Sequence, residues 1–206
     1  MGRSAEVRGR LLEAAGEEFA ARGFDAASVR AICERAGANV AAVNYHFGGK
    51  GPLYREAVAE AYRRSLDRSE RAGVGTLAEE LRAYIAGLLA APTDGWAYRL
   101  MARDALLGPA DRDDPAQHLI RPRLERLRGI LRRACPAADD RRLDALALGV
   151  VGQCLCYRLA RPVAARLIGP ERLARLDGDY VAGHVAACCL AALGLAPALG
   201  VDGEPR

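Results

Sequence analysis

The sequence predicts an all-α protein, with a small N-terminal helix-turn-helix domain joined to a larger C-terminal helical domain. Three observations carry that prediction. Apolar residues recur at three- and four-residue intervals through most segments, and no stretch alternates in the two-residue period of a half-buried strand. A short amphipathic segment, a glycine and a very short second segment follow one another between Ser28 and Phe47, the order of a helix-turn-helix with its recognition helix. After residue 76, glycine and proline interrupt the chain at intervals that suit helices.

The first helix is expected from Ser4 to Arg22, with Val7, Leu11, Leu12, Ala15 and Phe19 as its apolar stripe. Gly23 is a natural C-terminal stop, and Phe24 beyond it can fold back on the last turn. Ser28 caps the second helix, whose Val29, Ile32 and Ala36 face the same core. Gly37 ends it. Asn39 then caps the third helix, Val40 to about His46, because its side-chain oxygen can accept an orphan N–H of the first turn. Val43 and Phe47 are its inward anchors, and a Gly48-Gly49 turn leads to Lys50. Leu53, Tyr54, Ala57, Val58 and Ala61 begin a longer helix reaching about Ala72; Pro52 is tolerated in its first turn, where no N–H has a helical partner.

A break at Gly73–Thr76 sets the expected organisation: 1–50 as the helix-turn-helix domain, 51–75 as a connecting helix, 76–195 as the larger helical domain and 196–206 as a flexible tail. Helices are expected at Leu77–Ala91, Trp96–Leu107, Leu119–Ala134, Asp139 to about Ala160, and Asp179–Leu193. The stretch ADRDDPAQ is a polar loop, Val163–Ile168 is a short segment, and one helical turn runs from Pro170 through Leu176. Arg121, Arg123, Arg126 and Arg128 read as a solvated helix face.

Bulk properties exclude more than they select. With 51% hydrophobic and 27% charged residues, the chain can bury a core and is not wholly disordered. No run reaches the roughly 18 apolar residues of a membrane span. The opening MGRSAEVRGR lacks the apolar run of a secretory signal, so a cytoplasmic location is the expectation. A net charge of +4 is uninformative, yet between residues 28 and 55 Arg30, Arg35, Lys50 and Arg55 face only Glu34, which leaves a local basic surface.

The six cysteines, Cys33, Cys135, Cys154, Cys156, Cys188 and Cys189, do not form a disulfide framework expected of a short secreted chain. Cys154 and Cys156 stand two apart on a helix and point to nearly opposite faces, so they cannot chelate as a C-x-x-C pair does. Small apolar packing accounts for the set, and thiol or metal sensing is the alternative. No metal site, cofactor or catalytic residue is expected. A Gly-rich phosphate loop, a metal cluster and a nucleophile–base arrangement are all lacking, which argues against an enzyme.

Residues 143–160 and 180–193 carry apolar side chains on more than one face, with small residues that permit close helix approach. Such helices are either core or interface. If they pair with their copies, the result is a four-helix homodimer interface. Gln153, Tyr157 and Arg158 are polar groups in the first of them, and a ligand, a dimer mate or a neighbouring helix could supply their partners.

The stretch SVRAICERAGANVAAVNYHFGGKGPLYREAV, from Ser28 to Val58, resembles the TetR family of bacterial transcriptional regulators: a capped helix, Ala-Gly at the turn, a short recognition helix ending in Tyr-His-Phe, then lysine and an amphipathic helix. The later part, through HLIRPRLERLRGIL and VVGQCLCYRLARP, looks like the CecR-like branch. The resemblance implies a homodimeric repressor that binds a palindromic double-stranded DNA operator and is released by a small-molecule effector held in the C-terminal domain. It places Val40, Ala41 and Ala42 where the family reads bases. Ser28, Arg30, Asn44, Tyr45, His46 and Lys50 fall where it grips phosphates, and the capping Asn39 belongs to the same DNA-facing set. Trp96, Tyr98, Arg99 and Arg103 fall where members line an effector pocket, with Gln153 and Tyr157 as further candidates, although a lone tryptophan is more often core than ligand platform. Asn44 departs from the family's usual tyrosine, and Gly51-Pro52 from its usual acidic pair. The alternative is a thiol-based redox or metal sensor on the same DNA-binding head. Small apolar residues at 40–42 can touch thymine methyls but cannot make bidentate bonds to guanine, so phosphate contacts and DNA shape are expected to carry much of the specificity.

Overall fold

A computed structural model of the chain describes residues 3–66, 75–90, 93, 95–107 and 115–195. Among these residues, side-chain caps start five helices. Ser28 Oγ accepts from the Ala31 N–H at 3.4 Å to begin α2 (Val29–Ala36), and Asn39 Oδ1 accepts from the Ala42 N–H at 2.9 Å to begin α3 (Val40–Phe47). Thr76 and Glu79 form a reciprocal capping box for α5 (Leu77–Leu89). Asp139 and Asp177 cap α8 (Asp140–Leu159) and α11 (Gly178–Ala192), each at 2.8 Å. The remaining helices are α1 (Arg3–Ala26), α4 (Lys50–Leu66), α6 (Gly95–Leu107), α7 (Pro115–Ala134), α9 (Arg161–Ile168) and α10 (Pro170–Ala174). The described residues contain no strand.

Boundaries differ from expectation in instructive ways. Helical hydrogen bonding continues past Gly23 to Ala26, but Gly23 itself takes φ 76°, ψ 177° and kinks α1 there. The loop expected at ADRDDPAQ is shorter, because α7 already begins at Pro115, with Pro122 inside it. The end of the connecting helix beyond Leu66 and the tail 196–206 lie outside the described residues.

The chain divides into two compact units, Met1–Ser65 with Pro92–Arg121, and Leu66–Ala91 with Pro122–Arg206. The first buries Leu11, Ala15 and Phe19 of α1 with Ile32, Val43, Leu53, Ala57 and Val58 of the next three helices. Phe24 does fold back, its ring 6.4 Å from Phe19 and 5.2 Å from Tyr54. The expected division puts α6 in the C-terminal domain, whereas this unit includes it. Trp96 is 5% exposed, lies against Gly16 of α1, and donates from Nε1 to Glu13 at 2.7 Å. Arg99 pairs with Glu17 at 3.0 Å, and Tyr54 and Tyr62 donate to the two carboxylate oxygens of Asp104 at 3.2 and 3.3 Å. Burial raises the Glu13 carboxyl, but hydrogen bonds from Arg64 and Trp96 outweigh it and hold the group below its ordinary range.

In the second unit, Leu81, Tyr84 and Ile85 of α5 pack with Leu127, Ile130 and Leu131 of α7, Leu143, Ala147, Val150 and Cys154 of α8, and Val181, Val185 and Cys189 of α11. The arginine run is less solvated than expected. Arg128 reaches Glu125, Asp140 and Asp144 at 2.8–3.1 Å, and Arg126 lies over the Tyr84 ring at 5.9 Å. Tyr84 Oη donates to the Arg123 carbonyl at 2.9 Å, and burial pushes the phenol up to about 12.

Two stripes of this unit stay uncovered. On α8, Ala145, Leu148, Gly149, Gly152 and Cys156 share one exposed face, with Leu148 at 61% exposure. On α11 one exposed stripe holds Tyr180, His184, Cys188 and Ala191. No single described helix is long and apolar enough to cross a membrane.

Candidate nucleic-acid interface

The third helix is anchored on one face and open on the other. Val43 is 1% and Phe47 9% exposed, and the Arg8 guanidinium, paired with Glu56, covers the Phe47 ring at 5.0 Å. On the open face stand Val40, Ala41, Asn44 and Tyr45, with Tyr45 81% exposed. His46 is half-buried and meets the Tyr45 ring edge-on at 4.9 Å. Ala42 is half-buried too, its N–H held by the Asn39 cap.

Local geometry explains how so short a helix holds its position. Gly37 closes α2 in the left-handed region at φ 60°, and Cys33 donates its thiol to the Asn39 carbonyl at 3.5 Å. Arg10 of α1 fastens the turn from behind, donating to the Ala36 carbonyl at 3.0 Å. At the other end Gly48 and Gly49 take φ 80° and 130°, which side chains with a Cβ rarely adopt. The chain can therefore reverse within two residues and start α4 at Lys50.

The expected phosphate-gripping residues differ in how firmly they are held. Arg30 is exposed and pairs with Glu34 at 2.9 Å, an ion pair weak enough to exchange for phosphate. Ser28 and Asn39 have spent an acceptor on capping, which leaves the Asn39 amide hydrogens as donors. Lys50 donates to the Asp25 carbonyl at 3.2 Å and lies 4.8 Å from the Phe24 ring centre. That seat pins the start of α4 to the end of α1 while two ammonium hydrogens remain to offer. Sequence reasoning did not foresee it, since nothing in the spacing of Phe24 and Lys50 signals the contact.

The expected effector residues each have partners within their own unit. Trp96, Arg99 and Arg103 are committed to α1, where the Arg103 guanidinium lies over Gly23. Gln153 bonds its own helix at the Gly149 carbonyl, 3.4 Å, and Tyr157 packs half-buried against the second core. Arg158, grouped with them on polarity, is 7% exposed and donates to the Leu88 carbonyl at 3.2 Å, so a neighbouring helix supplies a partner.

A three-helix head with an anchored, outward-facing second helix of a helix-turn-helix defines a DNA-binding regulator. Comparison with known proteins agrees. Residues 11–57 match "Bacterial regulatory proteins, tetR family", and residues 74–193 match "HTH-type transcriptional dual regulator CecR, C-terminal domain". A transcriptional regulator from Rhodococcus sp. Rha1 is 25% identical over 89% of this chain and 96% of its own, with a TM-score of 0.62. A TetR-family regulator from Streptomyces coelicolor is 25% identical over 94% and 99%, at a TM-score of 0.51. One from Thermus thermophilus, at 24% identity over 88% and 97% with a TM-score of 0.63, shares the fold. No curated protein sequence matches. The chain belongs to the TetR family of bacterial transcriptional regulators, with a CecR-type C-terminal domain.

Proposed function

We propose that this regulator is a homodimeric repressor that binds a palindromic operator through α3 and leaves it when a small molecule occupies the C-terminal domain. The observation that carries the DNA-facing part is the open face of α3, with Tyr45 at 81% exposure beside Asn44 and the small residues Val40 and Ala41. Those small residues let the helix approach base edges, while Ser28, Arg30, Asn39, His46 and Lys50 around it offer donors to phosphate.

Dimerisation is assigned to the uncovered stripes of α8 and α11. TetR regulators are dimers, and the two stripes supply exposed apolar and small side chains on adjoining helices of one unit. A two-fold contact between them is isologous and closes on itself. Two heads would then meet successive major grooves about 34–36 Å apart, or a multiple of that. An effector would favour a head spacing that cannot meet both half-sites. Gln153 and Tyr157 remain the candidate effector contacts.

Selection of genomic DNA fragments by the purified protein, at stated salt, tests the reading. One palindromic site, lost with Tyr45→Ala and Lys50→Ala, is the expected result. Binding without sequence preference would reduce the head to a phosphate gripper, and no binding by effector-free protein would overturn the assignment of α3.

A further inference from the structure

The exposed face of α11 carries two donors that operator binding leaves unused. His184 and Cys188 are four residues apart, so one helical turn sets them side by side. Cys188 Sγ lies 3.7 Å from His184 Nε2, and both side chains are exposed. Two ligands of one tetrahedral zinc ion, with Zn–S about 2.3 Å and Zn–N about 2.05 Å, stand about 3.6 Å apart. The pair is therefore already at chelating separation. Tyr180, one turn earlier, lies parallel to the imidazole with ring centres 6.5 Å apart, which favours the same ring orientation.

One chain supplies only half a coordination shell. Among the described residues no three His, Cys, Asp or Glu side chains gather where they could hold a metal. Neighbouring Cys189 is turned into the core at 5% exposure and cannot join. The same stripe also carries Gly183, Ala187 and Ala191, whose small side chains let a second helix approach closely. In an isologous contact each residue meets the partner's copy of the same patch. A two-fold axis passing beside His184 and Cys188 doubles the donors to two thiolates and two imidazoles, the Cys2His2 shell of a closed tetrahedral site.

We propose that the α11 stripe binds one zinc-like divalent cation per dimer, held by His184 and Cys188 of one protomer and the same two residues of its partner. The inference rests on the dimer reading given above. Each thiol releases its proton on binding, so occupancy rises with pH. Soft sulfur with imidazole selects zinc, cobalt or a related transition ion over magnesium or calcium. The ion ties the two protomers together and gives the regulator an input separate from an organic effector.

The test is titration of cobalt(II) into reduced, chelator-stripped full-length protein, followed by absorption, with sedimentation velocity on the same samples. The expected result is a thiolate-to-cobalt band with the visible bands of a tetrahedral ion, saturating at one cobalt per two chains and displaced by zinc. His184→Ala and Cys188→Ser each abolish those bands while the protein stays helical, and Cys156→Ser keeps them. A stripped protein that sediments as a dimer yet gives no thiolate band overturns the metal site alone. So does saturation at one ion per chain, loss of the bands in Cys156→Ser, or their unchanged survival in either α11 variant. A chain that remains monomeric at every concentration overturns the dimer reading on which the site depends.

Discussion

Replacing Gly16 by alanine should destabilise the head, against the usual rule for a glycine inside a helix. Alanine gains about 1 kcal/mol in helix propensity at such a position. Here, however, a Cβ would lie 2.5 Å from Cζ3 of Trp96 and closer still to Cε3 and Cδ2. The obstacle is a flat ring, 5% exposed, tied by Nε1 to Glu13 and covered on one side by the Arg64 guanidinium at 4.8 Å. Restoring ordinary contact needs a shift of about 1 Å, since carbon pairs prefer roughly 3.5–4.0 Å. Overpacking of that kind costs about 1–3 kcal/mol, and a lost hydrogen bond to a charged group adds about 1.5–3 kcal/mol. The net expectation is a loss of about 1.5–5 kcal/mol. Gly9 on the same helix is the control: a Cβ there meets nothing within 4 Å, so Gly9→Ala should gain about 0.5–1 kcal/mol. Urea unfolding followed by the fluorescence of Trp96, the chain's single tryptophan, reads both variants directly. If Gly16→Ala is stabilised as Gly9→Ala is, the close seat of α6 on α1 is wrong. In a Trp96→Ala background, followed by circular dichroism because the fluorophore is gone, the penalty at position 16 should disappear, and its persistence would point to another cause.

Other outcomes follow from single contacts. Tyr45→Ala should leave stability within about 0.5 kcal/mol, because the ring is exposed, while operator affinity measured by fluorescence anisotropy falls tenfold or more. Native-state labelling with a thiol reagent at pH 8 should reach Cys156 and Cys188, both exposed in the single chain, faster in a monomeric Leu148→Arg variant than in the dimer whose α8 and α11 stripes cover them. It should spare Cys154 and Cys189, whose thiols burial pushes up to about 12 and about 11 and which therefore hold little thiolate. Glu13→Gln should lower the melting temperature modestly at neutral pH. The Glu13 carboxyl is depressed in the folded state, so its contribution is present above the unfolded pKa, near 4.5, and is lost as pH falls through the folded one. The two melting curves should converge in acid. Leu148→Arg, at a position 61% exposed in the single chain, should shift sedimentation from dimer to monomer with helicity unchanged.

Signals that lie close together in sequence were the legible ones. Ser28, Asn39 and the glycines at 23, 37, 48 and 49 act on residues within a few positions, so caps and breaks could be placed before any coordinates. Val43 and Phe47 were recognisable as anchors by spacing alone. The seat of α6 was not legible, because it depends on Gly16 and Glu13 meeting Trp96 across about eighty residues, and a glycine inside a helix carries no sign of what passes beside it. Arg128 misled for the same reason: its run of like charges suggests solvent, while the acids that hold it, Asp140 and Asp144, sit on the following helix. The pair His184 and Cys188 was written in the sequence at helical chelating spacing, but a search for paired cysteines passes over it.

The head's charge sets a limit on how it can hold DNA. Arg30, Arg35, Lys50 and Arg55 are the basic residues between positions 28 and 55, so a dimer brings at most eight such cations to a duplex. Each phosphate neutralised contributes about −0.9 to the slope of log affinity against log salt, so these residues allow a slope no steeper than about −7. Arg30→Gln, present in both heads, should flatten the measured slope by about 2 and weaken specific and non-specific DNA alike. Asn44→Ala should instead act on discrimination between sites and leave the slope unchanged, since an uncharged amide releases no counterion. A wild-type slope well beyond about −7 would mean that arginines outside this stretch reach the phosphates. An unchanged slope in Arg30→Gln would show that its ion pair with Glu34 persists on DNA, and the phosphate role at the start of α2 would then fall to the Ser28 hydroxyl and the first-turn N–H groups.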